Sequence, residues 1–120
     1  MQTTPAWLTE LFTVIDYKDA KDMGQFLSDD VEFYFANQEP VIGRDAVIES
    51  IDGFFLSIKA LAHTIEDVMI DDGRLICRGQ VSYTRADGTN LDVAFSNWFY
   101  LQDELITRYF IFVDNSALFT

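Results

Sequence analysis

The second half of the chain alternates apolar and polar side chains over long stretches, and this alternation constrains the fold more than any other feature. A period of two residues is typical of β-strands. Asp72-Gly73 and Asp87-Gly88 interrupt it with dipeptides that favour tight hairpin turns, and a third polar break lies at residues 102–104. The pattern therefore predicts an antiparallel meander with strands at about residues 63–70, 74–85, 90–101 and 105–114.

Both faces of the last two predicted strands are apolar. The first of them places Val93, Phe95, Asn97 and Phe99 on one face and, on the other, Ala94, Ser96, Trp98 and Tyr100. The last strand places Arg108, Phe110 and Phe112 on one face and, on the other, Tyr109, Ile111 and Val113. Helices can cover only one face of such a sheet. We therefore expect a homodimer that packs sheet against sheet, the alternative being that residues 116–120 fold back over part of the second face.

The first half of the chain has helical spacing. Thr4-Pro5 is a helix-start signal, with Thr4 as the expected cap, and the first helix covers about residues 5–16 with one buried face, formed by Leu8, Leu11, Phe12 and Ile15. Asp19 is placed to cap a second, short helix that ends at residues 28–30. A strand at 31–35, a loop and a third helix at about 44–59 follow. Helices before a meander predict one α+β domain over residues 1–120.

The charge of the chain excludes two classes of partner. Lys and Arg number 8 against 20 Asp and Glu, which gives a formal net charge of −12. Nucleic acids and anionic membranes both require basic patches, so neither is an expected partner. Residues 1–18 lack the basic region of a signal peptide, and no apolar run approaches the roughly 20 residues that span a bilayer. We expect a soluble protein located in the cytoplasm.

Metal and cofactor sites are not predicted. Cys77 is the only cysteine, which excludes an internal disulfide and a thiolate zinc cluster. His63 is the only histidine, and scattered carboxylates around it lack the ligand spacing of a zinc site. The chain also has no glycine-rich phosphate loop.

The order of these segments resembles a known family. The stretches IDYKDAKDMGQFLSDDVEF, EPVIGRDAV, HTIEDVMIDDG, VSYTRADGTNL and ITRYFIFVD, in this order, are similar to the nuclear transport factor 2-like superfamily and in particular to its SnoaL-like branch. The resemblance covers nearly the whole chain. It implies a curved antiparallel sheet wrapped around three helices as a cone, with a pocket at the open end. It also implies dimerisation through the outer face of the sheet.

The superfamily contains several chemistries, because one fold serves many functions. In ketosteroid isomerases a tyrosine and two aspartates act on the steroid, and the resemblance places Leu11, Ser96 and Phe35 at their positions. None of these residues supplies the required group. Steroid isomerisation by that route is therefore not expected.

Limonene epoxide hydrolases give a partial match. Their Arg-x-Asp corresponds to Arg85 and Asp87, and their tyrosine–asparagine pair to Phe35 and Asn37. Their second aspartate falls at Ile111, which can neither hold a water nor protonate an epoxide oxygen. Epoxide hydrolysis is therefore not favoured either.

Scytalone dehydratase and its dehydratase relatives give the third comparison. They pair an aspartate at the end of the first helix with a histidine at the start of the strand after the third helix, and the resemblance places Asp16 and His63 there. A carboxylate bonded to one imidazole nitrogen fixes the tautomer and raises the basicity of the other nitrogen. The resemblance thus implies a general base formed by Asp16 and His63.

Structural roles compete with each of these functions. Asp16 could end the first helix by binding backbone groups, and a backbone carbonyl could satisfy His63. For Arg85 and Asp87 we favour an ion pair that stabilises a turn, worth at most about 1 kcal/mol. Asn37 then caps a loop, and Asp114 is a solvated strand end.

The sequence leads to one hypothesis with two alternatives. We expect an aromatic pocket for a small, mainly apolar molecule with one or two polar groups, in which a cofactor-free lyase or isomerase uses Asp16 and His63. The substrate-binding residues would be Phe35, Asn37, Tyr83, Arg85, Ser96, Trp98 and Tyr109, with Tyr100 on the same face. The alternatives are a binding protein without turnover and a dimerisation module.

Overall fold

The computed structural model describes residues 4–119 and has an α+β fold, as predicted. Its helices are α1 (Ala6–Asp16), α2 (Ala20–Met23) and α3 (Arg44–Leu56), with a 3₁₀ turn at Gly24–Phe26 after α2. Its strands are β1 (Leu27–Phe35), β2 (Val41–Ile42), β3 (Ala60–Asp71), β4 (Arg74–Thr84), β5 (Asn90–Gln102) and β6 (Leu105–Val113). The strands form a curved, unclosed sheet around the helices, consistent with a cone.

The sheet has the strand order β2-β1-β6-β5-β4-β3. The four strands from β3 to β6 pair antiparallel in sequence order, which confirms the predicted meander. The expectation of a wholly antiparallel sheet is wrong, because β1 runs parallel to β6. Only hairpin connections force neighbouring strands to be antiparallel, and β1 reaches β6 through α3 and the rest of the sheet.

The ends of the helices differ from the prediction in three places. Thr4 does not cap α1, since Pro5 occupies the cap position and its carbonyl accepts hydrogen bonds from the next turn. Asp19 does cap α2, as predicted, through a 3.0 Å bond from the Asp22 backbone N–H to its Oδ1. Residues 28–30 lie inside β1, in the irregular stretch between Leu27 and Glu32, which both pair with β6. Helix α3 ends at Leu56 rather than near residue 59.

The inner face of the sheet packs on the helices. α1 buries the four residues predicted from its spacing, and α3 buries Val47, Ile51 and Phe55. Phe99 on β5 and Tyr109 on β6 are both at most 1% exposed. Complete burial of one such large apolar side chain contributes about 1.5–3 kcal/mol, so this layer supplies most of the stability.

A bulge interrupts β3 at Glu66, shortly after His63. The register between β3 and β4 shifts between Ile65 and Asp67, and Gly79 on β4 lies opposite Ile65. A Cβ atom at Gly79 would lie 1.8 Å from the Thr64 carbonyl oxygen. Only glycine therefore lets β4 approach β3 this closely.

The C-terminal segment does not cover the outer face of the sheet. Leu118 is 1% exposed within the core. Arg85 holds this segment in place, with Nε donating to the Leu118 carbonyl at 3.1 Å and Nη2 to the Ala117 carbonyl at 3.0 Å. Phe119 lines a surface depression together with Phe35 and Phe54. The segment closes against the helical side, so the predicted alternative cover for the outer face is wrong.

An outer aromatic patch remains, formed by Tyr34, Trp98, Tyr100, Phe110 and Phe112. Tyr34 and Phe110 stack with ring centroids 4.3 Å apart, and Phe112 is 53% exposed. The Arg108 guanidinium lies 4.8 Å from the centroid of Tyr100 and 5.1 Å from that of Phe110. This patch is the second apolar face that the alternation predicted.

Candidate active site

The end of α1 meets the start of β3 at a hydrogen-bonded pair. Asp16 Oδ1 lies 2.7 Å from His63 Nδ1, and Asp16 Oδ2 accepts a 3.0 Å bond from the His63 backbone N–H. One carboxylate thus holds both the ring and the backbone of His63. The structure brings together the two predicted catalytic residues, although 47 positions separate them.

Neither residue makes the contact considered as its alternative structural role, which was a cap on the end of α1 for Asp16 and a backbone carbonyl partner for His63. The backbone N–H groups of Tyr17 and Lys18 close α1 on carbonyls of the helix, so the Asp16 carboxylate is not used as a backbone cap there. Lys18 Nζ instead ties the end of α1 to α3, at 3.3 Å from the Phe55 carbonyl and 3.0 Å from the Ile58 carbonyl. His63 Nδ1 has a carboxylate partner rather than a backbone carbonyl.

The partner of Nδ1 decides the tautomer of His63. An ionised carboxylate offers acceptors only, so Nδ1 must carry the hydrogen. In the neutral ring Nε2 is then unprotonated and available as a base. Among residues 4–119 no hydrogen bond to His63 Nε2 is found. Chemistry at this site would therefore use Nε2.

Aromatic rings hold the imidazole between them. The ring centroid of His63 lies 4.8 Å from that of Phe12 and 5.1 Å from that of Phe95. The His63 side chain is only 10% exposed, whereas that of Asp16 is 29% exposed. The apolar walls fix the ring plane and keep most water away, which strengthens the bond to the carboxylate.

His63 lines a cavity between the helices and the inner face of the sheet. The space open to the centres of water molecules is about 40 Å³, so the cavity as it stands admits only a small ligand or a few waters. Its walls are mainly apolar and come from all three helices and every strand except β2. They are Ile15, Met23, Phe33, Phe35, Ile51, Phe54, Phe55, Leu61, His63, Val81, Tyr83, Phe95, Asn97, Tyr109 and Ile111.

Three further side chains bring polar atoms to this cavity. Burial raises the pKa of Tyr83 to about 12 and raises that of Tyr109 still further, so both hydroxyls stay protonated and can donate. Asn97 is 2% exposed, and its Oδ1 has no hydrogen-bond partner in the part of the chain that the structure describes. The cavity therefore combines a base, two donors and an unpartnered acceptor.

The predicted cavity residues divide by strand face. Phe35, Tyr83 and Tyr109 line the cavity as predicted. Ser96 and Trp98 do not line the cavity, so the expectation that they contact a ligand there is wrong. The placement of Tyr100 on the cavity face is wrong for the same reason. They alternate with the buried residues of β5 and point to the outer face. Both faces are aromatic, so the alternation alone did not identify the inner one.

Asn37 and Arg85 also lie outside the cavity. Asn37 is exposed in the turn after β1. Besides the C-terminal carbonyls, Arg85 Nη1 binds Thr89 Oγ1 and the Asn90 carbonyl, each at 3.1 Å. The expected Arg85–Asp87 ion pair does not form, because the guanidinium is occupied in this way and Asp87 accepts bonds from Thr89. Arg85 is a structural residue in this conformation.

Among the polar residues that line the cavity, sequence reasoning missed Asn97. The alternation places it on the same face as Phe95 and Phe99 without indicating a role for it. A polar side chain between two aromatic residues on one strand face was the available signal. The signal was ambiguous because either face of β5 could have been the inner one.

The remaining predictions concern metals, the thiol and membranes. Within residues 4–119 no group of three or more His, Cys, Asp or Glu side chains could hold a metal ion. Burial raises the pKa of the Cys77 thiol to about 12, so it is not a nucleophile at neutral pH. No helix in the described part of the chain is long and apolar enough to cross a membrane. The cytoplasmic location stays a prediction.

Comparisons with solved structures agree on the fold. A protein of ketosteroid isomerase-like fold from Catenulispora acidiphila, in complex with trimethylamine, has a TM-score of 0.88 at 15% identity, covering 97% of this chain and 91% of its own. A proposed SnoaL-like polyketide cyclase from Jannaschia has a TM-score of 0.79 at 16% identity, covering 100% of this chain and 95% of its own. TerC co-crystallised with polyporic acid has a TM-score of 0.81 at 14% identity, covering 92% of this chain and 90% of TerC.

Family membership is shown by the sequence itself. No curated protein matches it. The model of the SnoaL-like domain matches residues 8–109, which include most of α1, all six strands apart from the end of β6, and both Asp16 and His63. The chain therefore belongs to the SnoaL-like domain family, within the nuclear transport factor 2-like fold.

Proposed function

We propose that this protein binds a small, mainly apolar carbonyl compound in its central cavity and that His63, oriented by Asp16, removes a proton from it. The observation that carries the proposal is the 2.7 Å contact between Asp16 Oδ1 and His63 Nδ1 at the cavity wall. Small-molecule binding with isomerase or cyclase activity is what the family suggests. Polyporic acid in TerC and trimethylamine in the Catenulispora protein support an organic ligand.

The chemistry is general-base catalysis without a cofactor. His63 Nε2 takes a proton from the carbon beside the carbonyl, and the C–H electron pair moves into the carbonyl to give an enolate. The proton held by His63 can return to another carbon of an enolate that is conjugated with a C=C double bond, which is isomerisation. It can instead leave with a β-hydroxyl as water, or go to the alkoxide that forms when the enolate carbon attacks a second carbonyl of the same molecule, which is cyclisation. Assistance by a positioned base contributes about a hundred- to ten-thousandfold in rate.

Proton exchange tests this proposal without knowledge of the natural substrate. Butanone and acetoin are incubated in deuterated buffer, and NMR follows deuterium entry at the carbons beside the carbonyl. We expect the wild type to accelerate exchange, His63→Gln to lose about 100-fold or more, and Asp16→Asn to lose less because the base remains. Glu10→Gln is the matched control, since it removes an exposed carboxylate from the same helix. Exchange that persists in His63→Gln would contradict the proposal.

A second function is binding without turnover, and the size of the cavity favours it. A cavity of about 40 Å³ leaves little room for a substrate to rearrange. Saturable binding of either ketone without accelerated exchange would establish this function instead.

We further propose that the protein is a homodimer through the outer aromatic patch. Arg108 and Glu32 lie 3.7 Å apart (Nε to Oε1) beside the patch, so it carries both charges and can pair with its own copy about a two-fold axis. Light scattering after gel filtration gives the mass. Phe110→Lys should convert dimer to monomer, whereas Leu56→Lys, which changes a 79% exposed leucine on α3, should not. A wild-type monomer at micromolar concentration would exclude this dimer.

A further inference from the structure

The side chain of Asn97 is the least satisfied polar group in the described part of the chain. It lies in the middle of β5, 2% exposed, and its Oδ1 is the one fully buried side-chain nitrogen or oxygen without a hydrogen-bond partner among residues 4–119. Native proteins pair nearly all such atoms, so an exception points to a strained, catalytic or ligand-binding role.

The surroundings of Asn97 direct this acceptor to the cavity. Its partners across the sheet are Cys77 on β4 and Ile111 on β6, and its neighbours along the inner face are Phe95 and Phe99. None of these side chains offers a strong donor. Asn97 is itself part of the cavity wall, so a ligand in the cavity can reach it.

The other polar groups of the cavity have complementary roles. The hydroxyls of Tyr83 and Tyr109 stay protonated and can donate to a carbonyl oxygen, while His63 Nε2 can accept a proton. Asn97 Oδ1 requires a donor from the ligand. Together these groups fit a molecule that presents both a carbonyl and a nearby O–H or N–H.

We propose that Asn97 is the specificity-determining residue of the cavity and that it selects ligands of the hydroxycarbonyl class. The ligand hydroxyl donates to Asn97 Oδ1, and a ketone without that hydroxyl leaves the buried acceptor unpaired. This inference rests on the proposed function, since it names the substrate class of the same cavity. Sites built to bond a hydroxyl reject the analogue that lacks it far more strongly than apolar pockets reject a missing methylene.

Acetoin and butanone are the matched probes, because they differ by one hydroxyl beside the carbonyl. NMR titration gives the affinity of each. We expect the wild type to bind acetoin about 10-fold or more tightly than butanone, and Asn97→Leu to bind the two equally. Ser96→Ala is the matched control, because it removes a polar group from the next residue on the opposite face, and it should keep the wild-type preference.

Thermal unfolding separates a ligand anchor from a structural amide. Replacing an orphan acceptor with an apolar side chain removes a buried unpaired group, so Asn97→Leu should melt no lower than the wild type. Asn97→Ala, which cannot overpack the site, should lose the preference as well. A wild type that binds the probes equally, or gives no saturable shift with acetoin, would overturn the proposal, and so would an Asn97→Leu protein that retains the preference.

The outcome is independent of catalysis. His63→Gln should stop proton exchange and keep the acetoin preference, whereas Asn97→Leu should lose the preference. Absence of exchange in the wild type would therefore contradict the proposed reaction without contradicting the proposed role of Asn97 in ligand selection. Equal binding of acetoin and butanone, together with accelerated exchange, would contradict the role of Asn97 and support the proposed reaction.

Discussion

The two faces of β5 have nearly the same composition and different surroundings. Phe95, Asn97 and Phe99 are buried against the helices, whereas Ser96, Trp98 and Tyr100 are only half-buried on the outside. On the inner face an unpaired polar atom costs free energy through its desolvation, so its presence calls for an explanation. On the outer face the same groups can contact water, so they indicate at most a protein partner.

The close approach of β3 and β4 depends on the absence of a side chain at Gly79, and the replacement of Gly79 should have the largest effect. Gly79→Ala places a Cβ 1.8 Å from the Thr64 carbonyl oxygen, and backbone cannot move aside as a side chain can. We expect a loss of about 4 kcal/mol or more, or no folded protein. Urea unfolding monitored by circular dichroism measures it.

Gly53→Ala is the control for this change. Gly53 is within α3, and a Cβ atom added there would meet no other atom within 4 Å, so alanine should stabilise the protein by about 0.5–1 kcal/mol. Equal stability of the two variants would show that β3 and β4 do not approach as described.

Truncation of neighbours on β5 compares the two faces directly. Phe99 is 0% exposed, so Phe99→Ala should lower the free energy of unfolding by about 3–5 kcal/mol. Tyr100→Ala leaves no enclosed cavity and should cost about 1 kcal/mol in the monomer. Measurement at several protein concentrations separates this loss from any effect on dimerisation. Similar losses in dilute protein would mean that the outer face is covered within the chain.

Two arginines allow a comparison between a side chain that anchors the C-terminal segment and one that makes ion pairs on the outer surface. Arg85 donates to four acceptors and holds the C-terminal segment, so Arg85→Met should cost about 1–3 kcal/mol. Arg78 pairs with Glu66 and Asp67 on the outer surface, and Arg78→Met should cost at most about 1 kcal/mol. Hydrogen exchange at the Leu118 amide should accelerate in Arg85→Met only. Unchanged exchange there would contradict the anchoring role.

The smallest effect concerns a turn that belongs to neither face. Hydrogen bonds from the Ser116 hydroxyl and backbone N–H lower the pKa of Asp114 from 3.8. A lowered pKa gives stability that is complete above 3.8 and is lost as the pH falls through the folded value. The melting temperature of Asp114→Asn should therefore lie slightly below that of the wild type at neutral pH and converge with it in acid. A constant difference would exclude this linkage.

The secondary structure was largely predictable from the sequence. Local signals decided it: apolar spacing gave α1, the Asp-Gly turns gave the hairpins between β3, β4 and β5, and Asp19 capped α2. The errors fall where distant pairing overrides local preference. Residues 28–30 were predicted as a helix end, yet they belong to β1, which pairs with β6 on both sides of them, at Leu27 and from Glu32 onward.

The candidate site was predictable only in part. Asp16, His63 and Phe35 were identified through resemblance, and Tyr83 and Tyr109 through the alternation of their strands. Ser96 and Trp98 were assigned to the wrong face, and Arg85 was assigned to a ligand although it binds the chain end. Period-two alternation divides side chains into two sets without saying which set is buried.

The sequence by itself determined the three helices, the five longer strands, their order and the presence of two apolar sheet faces, because these follow from spacing along the chain. Only the tertiary structure decided which face is inner, that Asp16 and His63 are in contact, and that Asn97 Oδ1 lacks a partner among residues 4–119. Those facts depend on groups brought together from distant positions. Hydrogen bonds depend on ångström distances, which a pattern of residue types does not specify.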